Sequence, residues 1–156
     1  MDNKYIVVKE SEINSKGVFA NKDISKGKII GEFNGKICSL KEAEEKKFDM
    51  NYLLQLDWDK WMLVESKEKY LNHSCEPNIG IKNNKLITLK DIRKNEELTI
   101  DYDLLEWDHL GDFMKCGCKS KNCRKLIRGY KYLDEETKIK YKGFIPGFLS
   151  ENINQN

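Results

Sequence analysis

Short apolar runs separated by turn residues recur along the chain, a pattern typical of many short strands with irregular connections. The turns fall at Asp57–Lys60 and at Asn83-Asn84, where apolar residues on both sides predict a hairpin. Strands are predicted, in chain order, at 5–11, at 28–33, in both halves of 51–66, in both halves of 79–92 and at 98–103.

Only two segments carry helix signals. Residues 39–48 begin with Ser39 as an N-cap, and Glu42 follows at the capping-box spacing. Asp134 is predicted to cap a second helix over 134–141, and the final SENINQN is predicted to be a frayed tail. The whole pattern predicts one domain that is mostly β with few short helices.

Composition narrows the class of protein. Of the 156 residues, 39% are hydrophobic and 35% are charged, with a formal net charge of +2. This balance gives no strong field for nucleic acid, and only three arginines can make bidentate phosphate contacts, so no direct nucleic-acid binding is expected. No hydrophobic signal core opens the chain, and no apolar run approaches ~18 residues. We therefore expect a soluble intracellular protein, cytoplasmic or nuclear, without a signal peptide or transmembrane segment.

Five cysteines point to a metal rather than to a disulfide framework, because their number is odd and three of them are clustered. The cluster CGCKSKNC contains Cys116, Cys118 and Cys123 among small polar residues that offer little apolar surface for ordering. A structural zinc site needs four thiolate or imidazole ligands, so a fourth must come from elsewhere. The candidates for it are Cys75, Cys38, His73 and His109.

The stretch YLNHSCEPN (70–78) is a poor helix and a poor strand, and by itself it is a polar turn. Three other motifs of the chain change that interpretation. SKGVFANKDISKGKIIGEFNG, YLNHSCEPN, EELTIDYD and CGCKSKNC occur in the order and spacing of the SET-domain protein lysine methyltransferases that carry a cysteine-rich post-SET segment. The chain resembles that family from residue 5 to about residue 133.

The resemblance implies a β-clip-like SET-domain fold in which the C-terminal segment is threaded in a knot-like crossing. It implies a SET domain at 1–112, a post-SET zinc segment at 113–133 that forms a lid, and a C-terminal extension at 134–156. It also implies a structural Zn²⁺ held by Cys75, Cys116, Cys118 and Cys123, which leaves Cys38 as a small buried hydrophobe.

S-adenosyl-L-methionine is the cofactor that the resemblance implies. Asn72 and His73 are expected to hold it; a role for His73 as a general base or zinc ligand stays open. The backbone around Asn14, Lys16 and Gly17 is the second expected cofactor element, although Lys16 stands where relatives have an aromatic residue. The alternative is that Ser15–Gly17 is simply a turn.

The implied reaction is methyl transfer to a lysine side chain, for which histone tails are one class of candidate substrate. Tyr102 matches the family's catalytic tyrosine and is also expected at the cofactor, while Tyr52 matches a second tyrosine of the substrate channel. Ile100 stands where relatives carry Phe or Tyr, so without a hydroxyl there di- or trimethylation is expected. Two alternatives remain: a SET-like module that binds protein without turnover, and a small zinc protein that contacts nucleic acid. Neither the target protein nor the oligomeric state is indicated.

Overall fold

The computed structural model describes residues 4–151. Most of the regular structure is short strands. They are β1 (Ile6–Glu10), β2 (Lys16–Ala20), β3 (Ile29–Glu32), β4 (Gly35–Cys38), β5 (Leu53–Asp57), β6 (Lys60–Val64), β7 (Asn72–His73), β8 (Ile79–Lys82), β9 (Lys85–Thr88), β10 (Glu97–Ile100), β11 (Met114–Lys115) and β12 (Leu126–Ile127).

The helices in the described part of the chain are equally short. The α-helices are α1 (Leu40–Glu45), α2 (Glu135–Tyr141) and α3 (Gly147–Glu151), and the 3-10 helices are Met50–Tyr52, Lys67–Tyr70, Tyr102–Leu104 and Tyr130–Tyr132. The predicted class, mostly β with few short helices, is confirmed.

The strands form three small sheets and a separate hairpin. The sheets have the orders β1-β2-β10-β7, β3-β9-β8 and β4-β6-β5, and β11 pairs with β12. In the first sheet β10 is antiparallel to β2 and parallel to β7, which places Thr99 opposite Asn72 and Ile100 opposite His73. Residues 72–75, which we call the NHSC segment, are therefore held beside the strand that leads into Tyr102. The knot-like crossing itself stays a prediction.

Local sequence explains the turns and caps. Asn83 and Asn84 adopt φ of 48° and 60°, the left-handed conformation that a two-residue hairpin turn requires. The Ser39 Oγ accepts the backbone N–H of Glu42 at 3.1 Å, and Asp134 caps α2 through Thr137. The predicted strand 98–103 is wrong at its end: it stops at Ile100 because the Asp101 carboxylate accepts the Asp103 N–H, which starts the 3-10 turn carrying Tyr102.

Three buried clusters stabilise these layers. The main core joins residues of the three sheets, and a smaller one places Cys38 beside Ala43 and Trp61, so the prediction that Cys38 is a buried small hydrophobe is confirmed. The third cluster packs Leu104 and Tyr130 against α2 and α3, which joins these two helices to the residues that follow β10.

Two expectations concern the ends of the chain. Ser150 lies in α3 rather than in a frayed tail, and residues 152–156 of that predicted tail lie outside the described residues, as do residues 1–3 at the start. Within residues 4–151, no helix combines the length and the apolar character that crossing a bilayer requires.

Candidate active site and thiol cluster

A cavity of about 650 Å³ is lined by the β1–β2 connection, the segments around β5 and β7, and the end of β10. It brings together most of the predicted cofactor and channel residues, namely Asn14, Lys16, Tyr52, Asn72, Ile100 and Tyr102. Gly17 and His73 are buried nearby and are not among the lining residues of the described chain. One space thus adjoins both the expected cofactor residues and the expected channel residues.

The side-chain amide of Asn72 joins the NHSC segment to the β1–β2 connection. Its Nδ2 donates to the Lys16 carbonyl at 2.9 Å and to the Glu97 carboxylate at 2.8 Å, and lies 3.1 Å from the Ser11 hydroxyl. The Ser11 hydroxyl donates to the same Glu97 carboxylate at 2.7 Å. This network holds the cavity wall at Asn14–Lys16 in place.

A Cβ at Gly17 would overlap the Glu97 carboxylate, so a side chain there would displace the group that accepts the Asn72 amide. The same position is buried next to the Asn72 network. Gly17 therefore lies behind the cavity-lining residue Lys16, where it contributes backbone and no side chain.

Tyr102 enters the cavity with its hydroxyl fixed. The phenol donates to the Leu71 carbonyl at 2.7 Å, so its oxygen keeps lone pairs for another donor. Burial, with smaller contributions from Tyr52 and Glu97, raises the pKa of Tyr102 to about 12. The phenol is therefore neutral at physiological pH.

His73 is turned away from the cavity and toward the thiols. Its Nδ1 accepts the Tyr102 N–H at 3.1 Å, so in the neutral ring the proton is on Nε2, which lies 3.3 Å from the Cys75 sulfur. Burial, and then the nearby Arg124 charge, lowers the pKa of His73 to about 4. In this form of the ring, Nε2 presents an N–H donor to the Cys75 sulfur.

The thiols converge although they come from distant parts of the chain. The sulfurs of Cys75 and Cys116 lie 3.7 Å apart, and ligand atoms of His73, Cys75, Cys116 and Cys118 all lie within 4.8 Å of one another. Cys123 lies outside that group and contacts Cys116, while its neighbour Arg124 donates a backbone N–H to the Cys75 sulfur at 3.4 Å. Ligand sulfurs in a tetrahedral Zn²⁺ site lie about 3.8 Å apart, given bonds of about 2.3 Å. The thiol arrangement therefore fits zinc.

The protonation of the thiols follows their surroundings. Burial raises the pKa of Cys75 to about 11. Burial also acts on Cys118, but hydrogen bonds from the Cys75 backbone and from Ser120 outweigh it and lower the pKa of Cys118 to about 6. Cys118 therefore forms a thiolate, the form that binds a cation, more readily than Cys75 does.

A buried ion-pair clamp fixes the cysteine segment beside Tyr102. The Arg124 Nη2 bridges Asp101 at 2.6 Å and Asp103 at 2.8 Å. The other Asp103 oxygen accepts the backbone N–H groups of Arg128 and Gly129, each at 2.7 Å. Gly129 has φ of 107°, and a Cβ there would overlap the Trp107 and Asp108 backbone. Sequence reasoning missed this clamp; two acids flanking Tyr102 in an apolar strand were the available signal.

Charged groups stand around the cavity. The Lys69 ammonium lies 4.9 Å from the Tyr52 ring centre and 5.2 Å from that of Tyr70, and the Lys16 ammonium lies 5.2 Å from the Tyr70 ring centre. Acidic residues line other parts of the wall, namely Asp49, Glu68, Glu106 and Asp112. The cavity therefore offers both cations and anions to a ligand.

His109 belongs to this cavity wall and not to the thiol cluster. Its Nδ1 lies 2.6 Å from the Glu106 carboxylate, and the hydrogen bond to Glu106 raises the pKa of His109. Burial raises the pKa of Glu106 as well. Of the four candidates for a further zinc ligand, Cys38 and His109 are thus remote from the group, and Cys75 and His73 are within it.

Comparison with known proteins identifies the family. The SET domain family matches residues 15–103, more than half of the chain, and the chain belongs to that family. It is 30% identical over 142 residues to the histone-lysine N-methyltransferase trithorax of Drosophila virilis, covering 79% of this chain and 4% of the relative. It is also 30% identical over 131 residues to the putative histone-lysine N-methyltransferase ASHH4 of Arabidopsis thaliana, covering 71% and 36%.

A third relative is the variant-silencing SET domain-containing protein of Plasmodium falciparum, 30% identical over 142 residues, covering 77% of this chain and 6% of the relative. The chain thus spans between 4% and 36% of the length of these curated relatives. Cys116, Cys118 and Cys123 follow the matched region, whereas Cys75 lies within it.

Proposed function

We propose that this chain is a protein-lysine N-methyltransferase that transfers a methyl group from S-adenosyl-L-methionine to a lysine side chain. The observation that carries the proposal is the shared cavity, whose lining includes Asn72, Tyr102, Tyr52 and Ile100. The relatives named histone-lysine N-methyltransferases make histone tails the first substrates to test.

Residues at one part of the cavity suit the cofactor. The backbone of Asn14–Lys16 and the NHSC segment would hold it, and the ammonium groups of Lys16 and Lys69 complement a carboxylate. S-adenosyl-L-methionine supplies an electrophilic methyl group on a positively charged sulfur. His73 contributes by fixing the backbone of Tyr102 rather than by touching the cavity.

Residues at another part suit a lysine side chain. Free lysine has a pKa of about 10.4, so the wall must favour the neutral amine, which the apolar surfaces of Tyr52, Ile100 and Leu105 do by desolvation. The phenol of Tyr102 donates a hydrogen bond to the Leu71 carbonyl and accepts an N–H of the amine on its free lone pairs. Such positioning removes several kcal/mol of a transfer barrier, roughly 7 or more in well-oriented systems.

The acidic residues of the wall fit a basic peptide. Asp49, Glu106 and Asp112 attract the positive charges that surround a target lysine in a histone-like tail. Ile100 brings no hydroxyl to the channel, so we propose that transfer continues to di- and trimethyl-lysine.

The thiols are proposed to form a structural zinc site of Cys75, Cys116, Cys118 and Cys123. The four thiolates fit the ion by donor type, and the distance between Cys75 and Cys116 fits its geometry. The site joins the NHSC segment to the segment proposed as post-SET (113–133), which separates the proposed SET domain (1–112) from the extension (134–156).

Incubation with methyl-labelled cofactor and histones or cell lysate tests the proposal. Label on a lysine, located by mass spectrometry of the marked protein, is the expected result. Cofactor binding without label transfer to any protein would instead favour a SET-like binding module.

A further inference from the structure

Positive charge is concentrated in one segment of the chain, although the net charge of the whole chain is small. Between Phe113 and Leu133 there are seven lysine and arginine residues and no aspartate or glutamate. Since the whole chain has 28 basic and 26 acidic residues, the rest has 21 basic against 26 acidic. A net charge of +2 therefore divides into +7 on this segment and −5 elsewhere.

Internal partners neutralise only part of this charge. Arg124 is paired with Asp101 and Asp103, and Lys131 is paired with Asp108. No ion pair within residues 4–151 involves the other five side chains, which belong to Lys115, Lys119, Lys121, Lys125 and Arg128. A zinc ion with four thiolates carries −2, so an excess of cations remains even after the thiols bind metal.

Aromatic residues lie among these cations on one face of the β11–β12 hairpin. Lys115 is opposite Leu126, while Met114 is opposite the buried Ile127, so the Lys115 face points outward. Phe113 and Arg128 extend that face at the alternate positions of the two strands. Leu126 is 37% exposed.

Tyr132 completes the face. Its ring lies 5.5 Å from that of Phe113, edge to face, and the Arg128 guanidinium lies 5.1 Å from the Tyr132 ring centre. Phe113 is 46% exposed and Tyr132 is 39% exposed. We call Phe113, Lys115, Leu126, Arg128 and Tyr132 the aromatic–basic face.

We propose that the aromatic–basic face binds single-stranded nucleic acid. Cations that have no ion-pair partner can follow a phosphate backbone, and an exposed ring between them stacks an unpaired base. An acidic peptide would use the cations and leave Phe113 without a stacking partner. Met114 lies between Phe113 and Lys115 and lines the main cavity, so a bound strand would run beside its entrance. The surface does not depend on the proposed methyl transfer.

Fluorescence anisotropy of the full chain, loaded with zinc, with a labelled 20-nucleotide strand tests this. The affinity should fall as salt increases, with a log–log slope of about −0.7 per phosphate contacted. Lys115→Glu with Arg128→Glu should weaken binding at least about tenfold and make that slope shallower by about 1.4. Lys82→Glu with Lys85→Glu is the matched control, with the same charge change on the β8–β9 hairpin, and should change binding much less.

Phe113 separates stacking from charge. Phe113→Leu keeps an apolar side chain and should weaken strand binding about tenfold, within the range for loss of one stacked base. The proposal is overturned if the control pair weakens binding as much as the face pair, or if Phe113→Leu binds like the unaltered chain. It is also overturned if a poly-glutamate peptide binds the face as tightly as the strand, which would indicate an acidic protein partner.

Discussion

The Cys75 sulfur lies 3.7 Å from the Cys116 sulfur, although the two residues are 41 positions apart in the chain. This contact joins the segment that carries Asn72 and His73 to the cysteine-rich segment after Tyr102. Because Cys75 follows His73 by two residues, anything that fixes its sulfur also fixes the strand paired with β10. The positions of the thiols and of the cavity residue Asn72 are therefore linked through the NHSC segment.

Cys75→Ser should reduce bound zinc from one ion per chain to well below half, because a hydroxyl is a poor ligand for this ion. Elemental analysis of protein purified without chelators measures the number of zinc ions bound per chain. Cys38→Ala is the control and should retain the ion, since Cys38 lies in a separate apolar cluster. Full zinc content in Cys75→Ser would contradict the assignment.

Arg124→Met should destabilise the protein by about 3–5 kcal/mol, because it leaves two buried carboxylates without their counter-charge. Urea unfolding measures the change. Lys46→Met removes an exposed ion pair with Glu42 and should destabilise the protein far less, because solvent screens that pair. Equal losses of unfolding free energy in the two variants would contradict the conclusion that Arg124 stabilises the protein by pairing with two buried carboxylates.

Glu106→Gln should lower the pKa of His109, because the hydrogen bond to that carboxylate is the main cause of its rise above 6.5. With only two histidines, and the pKa of His73 lowered to about 4, NMR resolves the two titrations. The stabilisation from the raised pKa is complete below the unfolded-state value and is lost as pH rises through the folded-state value. An unchanged His109 titration in Glu106→Gln would be the contrary result.

Much of the fold was predictable because its signals are local. The Asn83-Asn84 turn, the Ser39 and Asp134 caps and the short apolar runs between turns each depend on a few adjacent residues. The end of β10 was not predictable from local signals. The residues after Ile100 look like a continuation of the strand, but the Asp101 side chain caps a 3-10 helix there and turns the backbone.

The candidate site divides in the same way. The motif residues Asn72, Ile100 and Tyr102 were found by their resemblance to a family, and they line one cavity. The inward turn of His73 toward Cys75 depends on the Tyr102 backbone N–H, and the clamp depends on contacts between residues 21 to 26 positions apart. No short motif encodes such long-range contacts.

Ile100→Tyr should shift the products toward monomethyl-lysine, provided that the proposed transfer occurs. A phenol at this buried wall position retains a water and leaves less room for a methylated amine. Mass spectrometry of a histone peptide under exhaustive conditions measures the product distribution. Ile100→Phe adds the ring without the hydroxyl and should still yield higher methylation; monomethyl product alone from the unaltered chain would contradict the role of Ile100.

Tyr102→Phe tests the central claim most directly, with cofactor affinity and methyl transfer measured on the same samples. The variant removes the one hydroxyl that is both fixed by the Leu71 carbonyl and placed in the cavity. We predict cofactor affinity within a few-fold of the unaltered chain and a transfer rate reduced by about 100-fold, the scale expected when a reacting group loses its positioning. Equal transfer rates for the two proteins, or binding with no transfer in either, would contradict the account.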